Sequence, residues 1–321
     1  MEDLLYHSVV RTIAFFDIFD HSLTDRELFE YLHNPPVKPK LDFTSFVLRI
    51  RHFPDTQIAC TQGLWHLVGR ELLVPLRTER SVHLEYKLRR LKKAVRLFSM
   101  TPFVRGVLVC NTLAFNAADV DSDIDVLVIV KRGRMWIARF STTIIMSLYR
   151  LRRTKKKITD RICLSFYLAD RALNLSKFRI ATEDIYLSYW MRTLIPVYDP
   201  DQLGDSILRA NRELLAPFLS HARHVEPTMH YMGKRQRDRR NITRVFEHIL
   251  HGHFGDRIED IARSFQRRKI MHNPRSLVHA KDTRVVVNDS ILKFHENDRR
   301  MRYRDEWLQK LEKLGVPNYS N

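Results

Sequence analysis

The stretch Asp119-Val-Asp-Ser-Asp-Ile-Asp125 holds four aspartates in seven residues, and its last two acids lead directly into the apolar run Val126-Leu-Val-Ile-Val130. That run has the composition of a buried strand. Side chains at i and i+2 of a strand share a face, so Asp123 and Asp125 are expected to project together from its start. Two such carboxylates repel each other unless a cation lies between them. A hard divalent cation such as Mg²⁺ suits the place, because it takes oxygen ligands and shares its remaining positions with water and phosphates. Two metals roughly 3.5 to 4 Å apart would clamp the attacking and leaving oxygens of an in-line phosphoryl displacement. A solvated acidic loop capping a strand would account for the same four aspartates, and the residues alone leave both readings open.

The neighbouring segments supply what a site would need around it. Val107-Leu-Val-Cys110 reads as a preceding buried strand, joined to the acidic stretch through Asn111-Thr-Leu-Ala-Phe-Asn116. A later candidate strand, Arg161 to Leu168, contains no acid, but Asp160 precedes it and Asp170 follows it. Upstream, Arg70 to Ser99 reads as a basic helix with one apolar face, Leu84, Leu88, Leu91, Val95 and Phe98. Between the two strands, Arg134 to Phe140 opens a helix packed on the sheet. Arg150 to Lys157 follows as a basic loop suited either to phosphate contact or to solvent.

The run Thr112 to Asp125, placed after a strand, resembles the signature of DNA-polymerase-β-like nucleotidyltransferases: a Gly-Ser turn, a helix, then an Asp-x-Asp pair opening a hydrophobic strand. Asn111 stands where that family has Gly, Thr112 where it has Ser, and Asn116 where a second Gly is usual. Thr112 keeps the hydroxyl, and Asn tolerates positive φ, although Asn111 adds a side chain where the backbone would approach a triphosphate. The resemblance implies an α+β fold, a mixed nucleotidyltransferase sheet with flanking helices. It also implies transfer of a nucleoside monophosphate from an NTP to an acceptor hydroxyl on a small molecule, protein or nucleic acid. Asp123 and Asp125 would bind Mg²⁺, with two ions expected. Asp160 would be the third catalytic carboxylate, assisting deprotonation of the acceptor. Asn111 and Thr112 would hold the β- and γ-phosphates. The alternative is a non-catalytic nucleic-acid-binding or regulatory protein built on a degenerate version of the same domain.

Three regions are expected. Residues 1–75 read as helices closed by a hairpin across Gln62-Gly63. Thr24 and Glu27 form a helix-start signal, and the pattern resembles a winged-helix domain with its third helix near Phe43 to Arg51. Residues 76–178 form the catalytic domain, entered by a helix over 76–99. Residues 179–321 read as a helical C-terminal region. In it, Glu183 to Leu194 is an aromatic-rich helix assigned to the core, and Asp205 to Leu215 is a second helix. From Lys234 onward the chain is basic and helical in pieces. His248, His251 and His253 read as helix-end histidines rather than zinc ligands, and His295 to Arg300 as a polar cluster after an apolar run.

Lys plus Arg outnumber Asp plus Glu by 55 to 37, a net charge of +18 that favours polyanionic partners: nucleic acid, nucleotide phosphates or an anionic membrane surface. Three scattered cysteines lack metal-ligand spacing and read as reduced thiols of a cytoplasmic protein. No run approaches the roughly 18 to 20 apolar residues that span a bilayer.

Overall fold

The computed structural model describes residues 2–36, 41–218, 240–273, 277–280 and 282–317; the basic stretch from Lys234 to Arg239 lies outside them. The fold is α+β. It begins with helix α1 (Glu2–Asp17), the two-residue strand β1 (Leu23–Thr24), α2 (Asp25–Glu30) and α3 (Phe43–Ile50). Thr24 caps α2 as its sequence signal requires: its hydroxyl accepts from the Glu27 N–H, and the Glu27 carboxylate accepts from the Thr24 N–H at 2.9 Å. Strands β2 (Ile58–Thr61) and β3 (Leu64–Leu67) form the expected hairpin. Both of its turn residues, Gln62 and Gly63, have positive φ, the twist that matches two strands joined by a two-residue loop. Strand β1 pairs with β3 and completes a small antiparallel sheet of order β1-β3-β2.

Helix α4 (Leu73–Phe98) then leads into a six-stranded mixed sheet of order β7-β4-β5-β6-β9-β8. Its strands are β4 (Val104–Val109), β5 (Ile124–Val130), β6 (Ile162–Ala169), β7 (Ile195–Tyr198), β8 (Val285–Val287) and β9 (Ile291–Phe294). Strands β5 and β6 are parallel, joined through α5 (Met135–Leu148), and the remaining pairings are antiparallel. The region after residue 178 is therefore not helical alone: it supplies β7, β8 and β9, covering both sides of the sheet's centre. Short strands such as Val285–Val287 carry too little periodic signal to be distinguished from other brief apolar runs.

The alternation of β5 assigns its side chains to two cores. Ile124, Val126, Val128 and Val130 face α4 and α5, whereas Leu127 and Ile129 join Phe166, Trp190 and Met191 on the opposite face. Helix α6 (Ile185–Thr193) covers that second face with α7 (Leu203–Ala210) and α8 (Arg212–Leu215). The single helix expected over 205–215 is interrupted at Asn211. Its fully buried amide donates to the carbonyls of Leu173 and Ile207 and accepts from the Leu175 N–H.

Helices α9 (Arg240–Ile249) and α10 (Gly252–Met271) follow, and α10 packs on α5. The last helix, α11 (Arg300–Lys313), packs on α1 and α6. A third core lies within the N-terminal unit and continues through Phe115, Ile185, Tyr189, Trp307 and Leu311. Among the described residues no helix is long and apolar enough to cross a membrane.

Candidate functional site

At the start of β5, on the face that farther along carries Leu127 and Ile129, Asp123 and Asp125 open onto a cleft of about 610 Å³. The i, i+2 spacing placed both acids there. Asn111, from the short 3₁₀ turn after β4, reaches the same cleft. Both asparagines of the turn, Asn111 and Asn116, have φ of 59°, the left-handed region for which Gly is the usual choice and Asn a tolerated one.

The Asn111 side chain has its own role. Its Nδ2 donates to Asp125 Oδ2 at 2.7 Å, while its Oδ1 accepts from the Tyr186 hydroxyl at 3.1 Å. The turn is thereby tied to Asp125 and to α6. Thr112 does not line the cleft; its backbone carbonyl accepts from the Ala117 N–H at 2.8 Å and closes the turn.

The electrostatics are those of two acids held close together. Burial, and then the neighbouring Asp123 charge, raise the Asp125 carboxyl to about 6, against the pull of its hydrogen bond from Asn111. Asp123 Oδ2 is buried and accepts no well-aligned hydrogen bond; Arg153 Nη1 lies 3.1 Å away as its ion-pair partner. Arg153 comes from the basic loop expected beside the sheet, so that loop delivers at least one cation to the site. The same guanidinium donates to Cys163 Sγ at 3.5 Å.

Asp160 is not brought to the pair. Its carboxylate is held by the fully buried Lys87 of α4 at 2.8 Å, and its backbone N–H donates to the Ser122 carbonyl. Lys87 also donates to the carbonyls of Val120 and Ser122, so Asp160 helps to fix the loop that carries Asp123 rather than lining the cleft. The register explains the substitution: Asp125 lies opposite Cys163 across the parallel pair. Between that pair and Leu127–Phe166, two steps along β5 are matched by three along β6. Such a bulge re-aims side chains, and Cys163 and Ser165 both reach the cleft. Among the described residues, Asp123, Asp125 and Cys163 form the one His/Cys/Asp/Glu group arranged to hold a metal ion, with donor atoms all within 4.8 Å of one another. His248, His251 and His253 form no such group.

The far wall of the cleft comes from the C-terminal polar cluster, whose role the sequence alone left unassigned. Strand β9 pairs with β6 and carries Lys293 and His295 to the site, with Glu296, Asn297, Asp298, Arg299 and Arg300 following. His295 Nε2 lies 3.2 Å from Ser165 Oγ. Burial, then the Lys293 charge, lower its imidazole to about 4, which leaves it neutral at pH 7. Arg300, nearly buried, bonds Asp298 at 2.8 Å and Asp184 at 3.0 Å, and donates to the Phe178 carbonyl at 2.7 Å. Burial alone would raise the Asp298 carboxyl, but Arg300 and Lys293 hold it down at about 2. Burial and Arg300 in turn lower Lys293 to about 8. Aromatic rings complete the lining: Tyr186 stacks on Tyr303 with ring centroids 5.3 Å apart, and Phe178 lies nearby. The cluster's clue in the sequence was its density of charge after an apolar run, but nothing local joined it to Asp123.

A mixed carboxylate–thiol set beside a guanidinium can bind a cation, an anion bridged to one, or both. No family model matches the chain, and neither a curated protein nor a solved structure does.

Proposed function

We propose that the cleft binds a nucleoside triphosphate together with a divalent cation and transfers its nucleoside monophosphate to an acceptor hydroxyl, as DNA-polymerase-β-like nucleotidyltransferases do. The observation that carries the reading is the pairing of Asp123 and Asp125 on one face at the mouth of β5, beside a positive-φ turn and a cationic loop. Asp123 and Asp125 are the residues that would hold the cation, which when bound would polarise phosphoryl oxygens and neutralise charge developing on them.

The chain's own groups account for the other needs. Arg153 and Lys293 give the cleft positive charge for phosphates, and the Tyr186–Tyr303 stack offers an aromatic surface for a base. Asp160 lies outside the cleft lining, and Asp298, the other aspartate lining it among the described residues, is paired with Arg300 and Lys293. His295, neutral at pH 7, and the exposed Glu296 are candidate bases on the cleft wall that would take the acceptor's proton.

The test is calorimetry of the full chain with each NTP in the presence of a divalent cation, followed by an assay of pyrophosphate release. Cation-dependent NTP binding that is lost in Asp123→Asn plus Asp125→Asn supports the proposal. The absence of NTP binding with every cation tried would overturn it.

A second reading is a nucleic-acid-binding or regulatory protein whose transferase-like cleft does no chemistry. Two observations favour it: Asp160 is bonded to Lys87, and the Asn111 amide occupies an Asp125 oxygen. The N-terminal helices with their hairpin, which resemble a winged helix, and the +18 net charge would supply the binding surface. Salt-sensitive DNA or RNA binding that survives the double Asp→Asn change would support this reading.

A further inference from the structure

The position across the sheet from Asp125, where a third oxygen ligand would complete a Mg²⁺ site, holds a thiol. Cys163 lies in register with Asp125, and its sulfur belongs with Asp123 and Asp125 to a donor set no wider than 4.8 Å. That sulfur does not simply pack among apolar side chains. It accepts from Arg153 and donates to Ser165 Oγ at 3.3 Å, so it is turned toward the polar cleft. Asp123 Oδ2, buried beside it without a well-aligned hydrogen bond, faces the same space.

This donor set fits Mg²⁺ poorly. Mg²⁺ binds oxygen in near-ideal octahedra, whereas thiolates select softer ions. Metal–sulfur bonds of about 2.3 Å and metal–carboxylate bonds of about 2.0 to 2.2 Å together span about 4.5 Å end to end. Donors this close need little movement to share one ion. We propose that the site selects a thiophilic divalent cation, Zn²⁺ or Co²⁺, over Mg²⁺, with Cys163 as the third protein ligand beside Asp123 and Asp125. The inference rests on the metal-binding part of the function proposed above. As the sulfur–metal bond forms, the thiol proton passes to water. Three anionic ligands around a dication leave one negative charge, and the Arg153 guanidinium at their edge matches it.

The test uses the full chain, stripped with a chelator and titrated with Co²⁺ and with Mg²⁺. Co²⁺ is expected to give a sulfur-to-cobalt charge-transfer absorption that excess Mg²⁺ does not remove. Cys163→Ser should abolish that band and weaken Co²⁺ binding at least about tenfold, and Cys163→Asp should make Mg²⁺ an effective competitor. Circular dichroism of each variant verifies its fold, and the wild-type band and its resistance to Mg²⁺ need no variant at all. If Co²⁺ binds without the sulfur band, or binds Cys163→Ser unchanged while the Asp→Asn pair loses it, the thiol is not a ligand. The inference then falls and the nucleotide reading stands. If neither Co²⁺ nor Mg²⁺ binds and NTP binding is absent too, both fall together.

Discussion

Asp125 is a buried acid held beside a second acid, Asp123. Its carboxyl is raised to about 6 by burial and by Asp123. The unfolded chain loses that proton near the ordinary carboxylate value, so between about pH 4 and pH 6 the folded state binds more protons than the unfolded one. The contribution of Asp125 to stability therefore falls as pH rises through that window and stays lost above it. Asp125→Asn removes the buried charge and can still accept from Asn111. It is expected to raise metal-free stability at pH 7 by roughly 1 to 3 kcal/mol and to flatten stability against pH between 4 and 6. Urea unfolding of both proteins across that range is the measurement, and an unchanged slope would sink the account. A substitution that stabilises the chain while removing a proposed ligand is the trade-off common at active sites.

At the scale of elements, the site is held by contacts that reach across the chain. The 3₁₀ turn is tied to α6 through Asn111 and Tyr186, and the loop bearing Asp123 is tied to α4 through Lys87 and Asp160. Helix α5 has no side-chain cap of its own. Glu259 of α10 instead accepts from the N–H groups of Trp136 and Ile137 at 2.8 and 3.0 Å, putting a buried carboxylate at a helix N-terminus. Glu259→Ala leaves those donors unpaired and is expected to cost about 1 to 3 kcal/mol, read as a lower urea midpoint at unchanged slope. Thr24 and Glu27 were legible as a cap because both partners lie within one turn; the Glu259 cap was not, because its partners lie more than 100 residues apart.

At the scale of the whole molecule, the N-terminal helices and hairpin do not stand alone. Their core runs through Tyr189 of α6 and Trp307 of α11, and the buried Trp307 indole donates to the Arg11 carbonyl at 3.0 Å. The boundary expected after residue 75 falls just inside helix α4, and a continuous core crosses it. Trp307→Ala is expected to cost roughly 3 to 5 kcal/mol. A shared core also predicts that the N-terminal unit and the central sheet unfold in one transition. Calorimetry of the wild type would refute this if it resolved two separate transitions.

What the sequence determined by itself is everything set by short spacing. The Asp123–Asp125 pair shares a face because a strand alternates with period two, the hairpin turns at Gln62-Gly63 because Gly63 takes positive φ freely between two short apolar runs, and α4 is helical because its apolar residues recur at threes and fours. Tertiary structure alone decided the pair's neighbour across β6 and the far wall of the cleft. It put Cys163 rather than Asp160 beside Asp125, because strand register and a bulge in β6 have no local signature. It also brought His295 and Arg300 to the far wall, because β9 pairs with β6 from more than 120 residues away. The carboxylates were readable from residues two apart, but the thiol, guanidinium and imidazole that define their chemistry depend on pairings between segments distant in the chain.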